Sequence, residues 1–120
     1  LEQTFGPRVR PVSWEEREIT LADISLLVNG TSLGMTGSPP LDLPLDRLPE
    51  TAVVYDIVYA PLKTSLLRRV KTRGNPVVDG LGMLIHQARP AFKAWFGVLP
   101  EGTAELREIL EADLRKGENT

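Results

Sequence analysis

An α/β fold built on a parallel sheet is what this 120-residue sequence predicts. Two observations carry that reading. Short apolar, β-branched runs alternate with amphipathic segments, the pattern that strand–helix–strand crossovers of a parallel sheet produce. Two of the runs, VVYDIVY at 53–59 and PVVDG at 76–80, pass directly into polar or glycine-bearing residues. Strand ends of that kind are where open parallel sheets bind ligands. The stretch from Val53 to Gln87 therefore concentrates the functional information.

The elements follow in order. Residues 1–6 read as the tail of a helix closed by Gly6. Arg8–Val12 suits a short strand, demoted to an edge by Pro11. Ser13-Trp14-Glu15-Glu16 has the spacing of a capping box and predicts one helical turn. Ile24–Val28 is a short apolar run that ends at Asn29-Gly30-Thr31-Ser32, a strand-to-turn signal. Gly34–Pro49 is rich in glycine and proline and reads as a long surface loop. Thr51–Tyr59 is almost entirely apolar, as a strand covered on both faces would be.

Thr64 is placed to cap a helix running to about Arg73, with Leu66, Leu67 and Val70 inward and Gly74 ending it. Pro76–Asp79 is a further short strand. A helix follows over 81–96, with Leu84, Ile85, Ala88, Phe92 and Trp95 at helical spacing. Pro90 inside it removes a backbone donor and predicts a kink or a split. A last amphipathic helix over 103–116 follows Thr103, with Leu106, Ile109, Leu110 and Leu114 inward, and its charged tail is expected to fray.

Composition narrows the function classes. The chain is 42% hydrophobic and 25% charged, with a net charge of −2, the profile of an ordinary globular domain. That balance offers no electrostatic reason to expect nucleic acid as a partner. Arg68, Arg69, Lys71 and Arg73 form a basic cluster that reads as a solvated helix face. No apolar run approaches the ~20 residues of a membrane span. The absence of cysteine excludes disulfides and thiolate metal sites and fits a cytoplasmic location. A single histidine excludes a His-based metal cluster.

Three places can carry chemistry. At Asn29-Gly30-Thr31-Ser32, a glycine permits close backbone approach beside two hydroxyls, which suits a ligand and equally a plain polar turn. Tyr59 lies at a strand end ahead of Ala60-Pro61, placed to offer a phenol to a hydroxylated ligand or simply to pack. Gly80, Met83 and Gln87 fall on one helical stripe near a helix N-terminus. Met83 offers adaptable apolar surface and Gln87 both a donor and an acceptor, although a satisfied core amide fits the same pattern. His86 has no carboxylate or nucleophile at defined spacing and reads as a packing residue. Asp56 and Asp79 read as structural acceptors. No Ser-His-Asp pattern, P-loop or G-x-G-x-x-G occurs.

Together N-G-T-S-L-G-M (29–35), Y-D-I-V-Y-A-P-L-K-T-S-L-L (55–67), V-D-G-L-G-M-L-I-H-Q-A (78–88) and A-F-K-A-W-F-G-V-L-P (91–100) resemble shikimate dehydrogenase. The resemblance covers most of residues 24–100, with several motifs in the same order. It implies a partial Rossmann-like parallel sheet with flanking helices, the distal half of an NADP-binding domain. It also implies a parent enzyme that reversibly reduces 3-dehydroshikimate to shikimate with NADPH. Thr31, Ser32, Ile57, Gly80 and Met83 match cofactor positions, the Ile57 position through a backbone contact to the nicotinamide. Tyr59 and Gln87 match the pair that binds shikimate. Gly30, Ile57 and Ser65 depart from the usual alanine, methionine and proline.

The family's catalytic lysine and aspartate, its glycine-rich pyrophosphate loop and its motif for the 2′-phosphate have no counterpart among these residues. The chain, which begins at Leu1, is therefore expected to be one incomplete NADP-binding domain that is inactive alone. With strand order 3-2-1-4-5-6, Arg8–Val12 would be strand 3 and Ile24–Val28 strand 4, leaving an exposed apolar edge open to self-association or to strand 3 itself. A quinate/shikimate dehydrogenase paralogue and a non-catalytic module on the same scaffold are the alternatives.

Overall fold

The computed structural model describes residues 2–118. Helix α1 (Glu2–Phe5) leads through single 3₁₀ turns at Gly6–Arg8, Trp14–Glu16 and Ile19–Leu21 into strand β1 (Leu26–Asn29). Strand β2 (Val53–Asp56), helix α2 (Ser65–Arg73), strand β3 (Val77–Val78), helix α3 (Leu81–Phe96) and helix α4 (Ala104–Glu118) follow. The three strands form one parallel sheet in the order β1-β2-β3. The α/β class and the partial, Rossmann-like parallel sheet with flanking helices stand.

Arg8–Val12 is not a strand. Its first residue completes a 3₁₀ turn that Pro7 helps to start, and residues 9–13 are irregular. Pro11 lacks a ladder donor, and no described strand lies beside the segment to fix it. Nothing docks there against β1, so β1 is an edge strand among the described residues. The Ser13 turn forms at Trp14–Glu16, but without a side-chain cap bond.

Register assigns the two faces of the sheet. Leu26 pairs with Val53, Val28 with Tyr55, and Tyr55 with Val78, so these side chains share one face. Leu26, Val28 and Val78 on it are exposed and Val53 and Tyr55 half-buried. The opposite face carries Leu27, Asn29, Val54 and Asp56, of which Val54 and Asp56 are wholly buried. Strand β2 is thus covered on one face, not both, because α2 and the β1–β2 connection pack on the same side.

That connection corrects a second expectation. Residues 30–52 have no helix or strand, yet Leu41, Leu43, Leu45 and Leu48 are all buried. They join Leu21, Val54, Leu66, Leu67 and Val70 in one core cluster. Helix α2 holds the segment from outside: Arg69 donates to the Leu43 carbonyl at 2.9 Å and Arg73 to that of Leu48 at 2.7 Å. Asn75 donates to the Pro49 and Ala52 carbonyls at 2.8 and 2.9 Å. Buried backbone must be satisfied, and these side chains do it where no ladder exists.

Helix α2 has its inward face as read, with Leu66, Leu67 and Val70 buried. The Thr64 hydroxyl caps it by accepting from the Leu67 amide at 3.2 Å, and Gly74 at φ 95° closes it in a left-handed conformation few other residues adopt. Helices α3 and α4 behave differently. Leu81 and Ile85 are the buried residues of α3; Ala88, Phe92 and Trp95 are exposed. The helix runs unbroken through Pro90. In α4 no residue is buried, and the expected inward positions Leu106 and Ile109 are exposed while Leu110 and Leu114 are half-buried.

Candidate functional site

The C-terminal ends of β1 and β2 converge on one buried carboxylate. Asp56, the last residue of β2, is fully buried. Its Oδ1 accepts from the Asn29 side-chain amide and from the Val58 backbone, each at 3.1 Å. Its Oδ2 accepts from the Thr64 hydroxyl at 2.6 Å. Charge-assisted hydrogen bonds of this kind are the strong class, and three of them offset the desolvation of a carboxylate.

Asn29 passes the order into the Asn-Gly-Thr-Ser turn. Its Oδ1 accepts from the Thr31 amide at 3.1 Å and the Thr31 hydroxyl at 2.7 Å, while its Nδ2 also donates to the Leu33 carbonyl at 3.1 Å. The Thr31 hydroxyl in turn accepts from the Leu33 amide. This is an Asx-type turn in which Thr31 is engaged internally, and Ser32 and Gly30 face solvent. Space beside Gly30 is open, with nothing within 4 Å of where a Cβ would sit.

Ile57 begins the tail beyond β2. Its amide donates to the Asn29 carbonyl at 3.2 Å, and its own carbonyl accepts no hydrogen bond from the described residues. Gly80 is packed directly on this tail. A Cβ there would run into the Ile57 carbonyl oxygen first, and would lie 2.6 Å from the Ile57 carbonyl carbon and 2.6 Å from the Val58 oxygen. Glycine is therefore required for α3 to start against the end of β2, a steric demand independent of any ligand. Tyr59 lies three residues past the end of β2, partly exposed, ahead of a cis Ala60–Pro61 peptide. The Ala60 carbonyl accepts from the Thr36 amide at 2.8 Å, tying the two strand-end loops together.

Met83 is half-buried and Gln87 exposed, one turn apart on α3. Gln87 is thus not a satisfied core amide. His86 is exposed beside Arg89, whose Nε donates to the Pro100 carbonyl at 2.7 Å. Asp79, ahead of the Gly80 N-cap of α3, accepts from the Leu81 amide at 3.1 Å and pairs with Arg107 of α4 at 2.6 Å. The hydrogen bond to Asp79 raises the Arg107 guanidinium above its ordinary pKa.

The structure thus joins Thr31, Ile57 and Gly80 through Asn29, Asp56 and the tail of β2, and sets Met83 and Gln87 on the helix that Gly80 begins. Sequence reasoning named Asp56 only as a structural acceptor and missed its partnership with Asn29. The available signal was an acidic residue inside an otherwise apolar strand. The arrangement can hold and orient a ligand; it contains no paired acid and base.

Residues 80–110 match the model of the shikimate 5′-dehydrogenase C-terminal domain. The NADP(+) shikimate dehydrogenase of Dinoroseobacter shibae is 61% identical over 113 residues, covering 94% of this chain and 41% of that protein. These matches support a C-terminal part of a shikimate dehydrogenase. A second such enzyme, from Azorhizobium caulinodans, is 54% identical over 92% of this chain and 39% of its own length.

Among solved structures, Thermus thermophilus shikimate 5-dehydrogenase, in complex with NADP(H) and shikimate, superposes with a TM-score of 0.70 at 34% identity. That match covers 96% of this chain and 40% of that one. Corynebacterium glutamicum quinate dehydrogenase, in complex with NAD, gives 0.66 at 33% identity over 72% of this chain and 31% of that one. The chain therefore spans about two fifths of the length of the curated shikimate dehydrogenases it matches. Among the described residues, no helix is long and apolar enough to cross a membrane.

Proposed function

We propose that this segment forms one wall of the cofactor and substrate cleft of a cytoplasmic NADP-dependent shikimate dehydrogenase. In that reading Thr31, Ser32, Ile57, Gly80 and Met83 lie toward the nicotinamide, and Tyr59 and Gln87 toward shikimate or 3-dehydroshikimate. The observation that carries it is the unengaged Ile57 carbonyl at the end of β2, beside a glycine-opened helix. A carbonyl there suits the donor N–H groups of a carboxamide, so these residues fit the nicotinamide end of the cofactor. Met83 supplies apolar surface one turn into α3, and the exposed Tyr59 and Gln87 supply hydrogen-bonding groups for hydroxyls and a carboxylate.

When bound, the cofactor supplies the hydride that reduces the substrate ketone. This chain's residues orient and exclude water; none of them is assigned the proton transfer. No glycine-rich turn in the sequence provides the phosphate anchoring that a helix N-terminus gives in dinucleotide-binding domains. The 120 residues alone are therefore expected to show no dehydrogenase activity and no appreciable NADP affinity. Micromolar binding in a calorimetric titration of the segment would overturn that. The relatives at 61% and 54% identity favour shikimate over quinate as substrate.

The direct test exchanges this segment for its counterpart in the full-length Dinoroseobacter enzyme. NADP-dependent oxidation of shikimate, exceeding that of quinate, supports the reading; inactivity with the fold intact overturns it. We further propose that the open edge of β1 makes the isolated segment self-associate. A strict monomer in sedimentation would refute this.

A further inference from the structure

We propose that Asp56 is a positioning residue of this site, holding the Asn29–Leu33 turn, the Ile57–Tyr59 tail and the start of α2 in a single arrangement; the proposal rests on the cleft reading above. Each donor in the network is determined. The Val58 amide can only donate. The Thr64 hydroxyl accepts from the Leu67 amide and donates to Asp56 Oδ2 at 2.6 Å. The Asn29 nitrogen faces two acceptors, Asp56 Oδ1 and the Leu33 carbonyl, and its oxygen faces two donors on Thr31. Flipping the Asn29 amide would set its nitrogen against the Thr31 donors and its oxygen against the two acceptors, so its orientation is fixed.

The consequence is a one-way chain of hydrogen bonds from two proposed cofactor-facing elements to one buried side chain. Asp56 touches neither Thr31 nor the Ile57 carbonyl. It acts on the first through Asn29 and on the second through Val58, the residue next to it. Because Asp56 is wholly buried, water cannot replace a lost partner there. Misplacement of binding groups by about 1 Å costs as much as 10²-fold in rate, so loosening this hub should register in the kinetics.

The test uses a full-length shikimate dehydrogenase carrying this segment, with Asp56→Asn, Thr64→Val and Thr64→Ser. Asp56→Asn keeps the shape but sets an amide where the Thr64 proton is received. Thr64→Val removes the hydroxyl and Thr64→Ser retains it. Asp56→Asn and Thr64→Val are each expected to lower kcat/KM for NADP by about tenfold in protein that is still folded at the assay temperature, while Thr64→Ser stays within about twofold. Combined with Asn29→Ala, Asp56→Asn should be non-additive, since both act on one chain of bonds.

Amide hydrogen exchange reads the arrangement without activity. Asp56→Asn should speed exchange at Thr31, Leu33 and Val58 by about tenfold while Val70 in α2 is unchanged. The proposal is overturned if exchange at those amides is unaltered. It is equally overturned if Thr64→Val and Thr64→Ser behave alike, or if the activity lost only tracks the unfolded fraction at constant KM. An inactive parent graft refutes the dehydrogenase reading instead, and the exchange result then decides the role of Asp56.

Discussion

Residues 41–48 have no regular structure and bury four leucines, whereas α4 is a helix of 15 residues that buries none. Helix α3 falls between, with Leu81 and Ile85 buried and Phe92, Trp95 and Phe96 exposed. Regular backbone and contribution to stability are therefore separate quantities here. The irregular segment gains its order from apolar burial and from Arg69, Arg73 and Asn75 answering its carbonyls. Helix α4 is regular through its own backbone bonds and its Arg107 link to Asp79.

This contrast can be broken most directly at Leu48, 2% exposed. Leu48→Ala should destabilise by about 2–5 kcal/mol in denaturant unfolding, and a loss below about 1 kcal/mol would return the connection to the status of a surface loop. Next in size is Gly80→Ala, expected to cost about 3 kcal/mol because the added methyl meets backbone and not a movable side chain. Thr64→Val should cost about 1–2 kcal/mol as a lost helix cap, and more if its bond to Asp56 contributes separately. At the small end, Ile109→Ser, at a position 60% exposed, should change stability by less than about 0.5 kcal/mol. A much larger loss in a full-length enzyme would identify α4 as a surface that another part of that protein covers.

The same division marks what the sequence made legible. Helix α2 was readable at both ends because a threonine cap and a left-handed glycine act within a few residues. The three parallel strands were readable from β-branched runs at crossover spacing. Arg8–Val12 was misread because strand character depends on a neighbour that local sequence does not specify. Gly34–Pro49 was misread because its prolines and glycines outweighed the alternation of Leu41, Leu43 and Leu45, which in an extended chain puts all three on one side. At the site, the need for glycine at position 80 was legible, but the group it admits, the backbone of Ile57 and Val58, was not. The bond between Asn29 and Asp56 joins residues 27 apart, and neither residue advertises the other.

The clamp of α2 on the β1–β2 connection also bears on folding order. Its bonds from Arg69 to Leu43, Arg73 to Leu48 and Asn75 to Pro49 and Ala52 close loops of 26, 25, 26 and 23 residues. Loop entropy grows only logarithmically with length, so closing any one of them carries nearly the whole entropic cost. Once Arg69 has reached Leu43, the next bond must close only the few residues left over in each segment. Whichever bond forms first, the others then have little slack left to close, so the clamp is expected to form and to open as one unit.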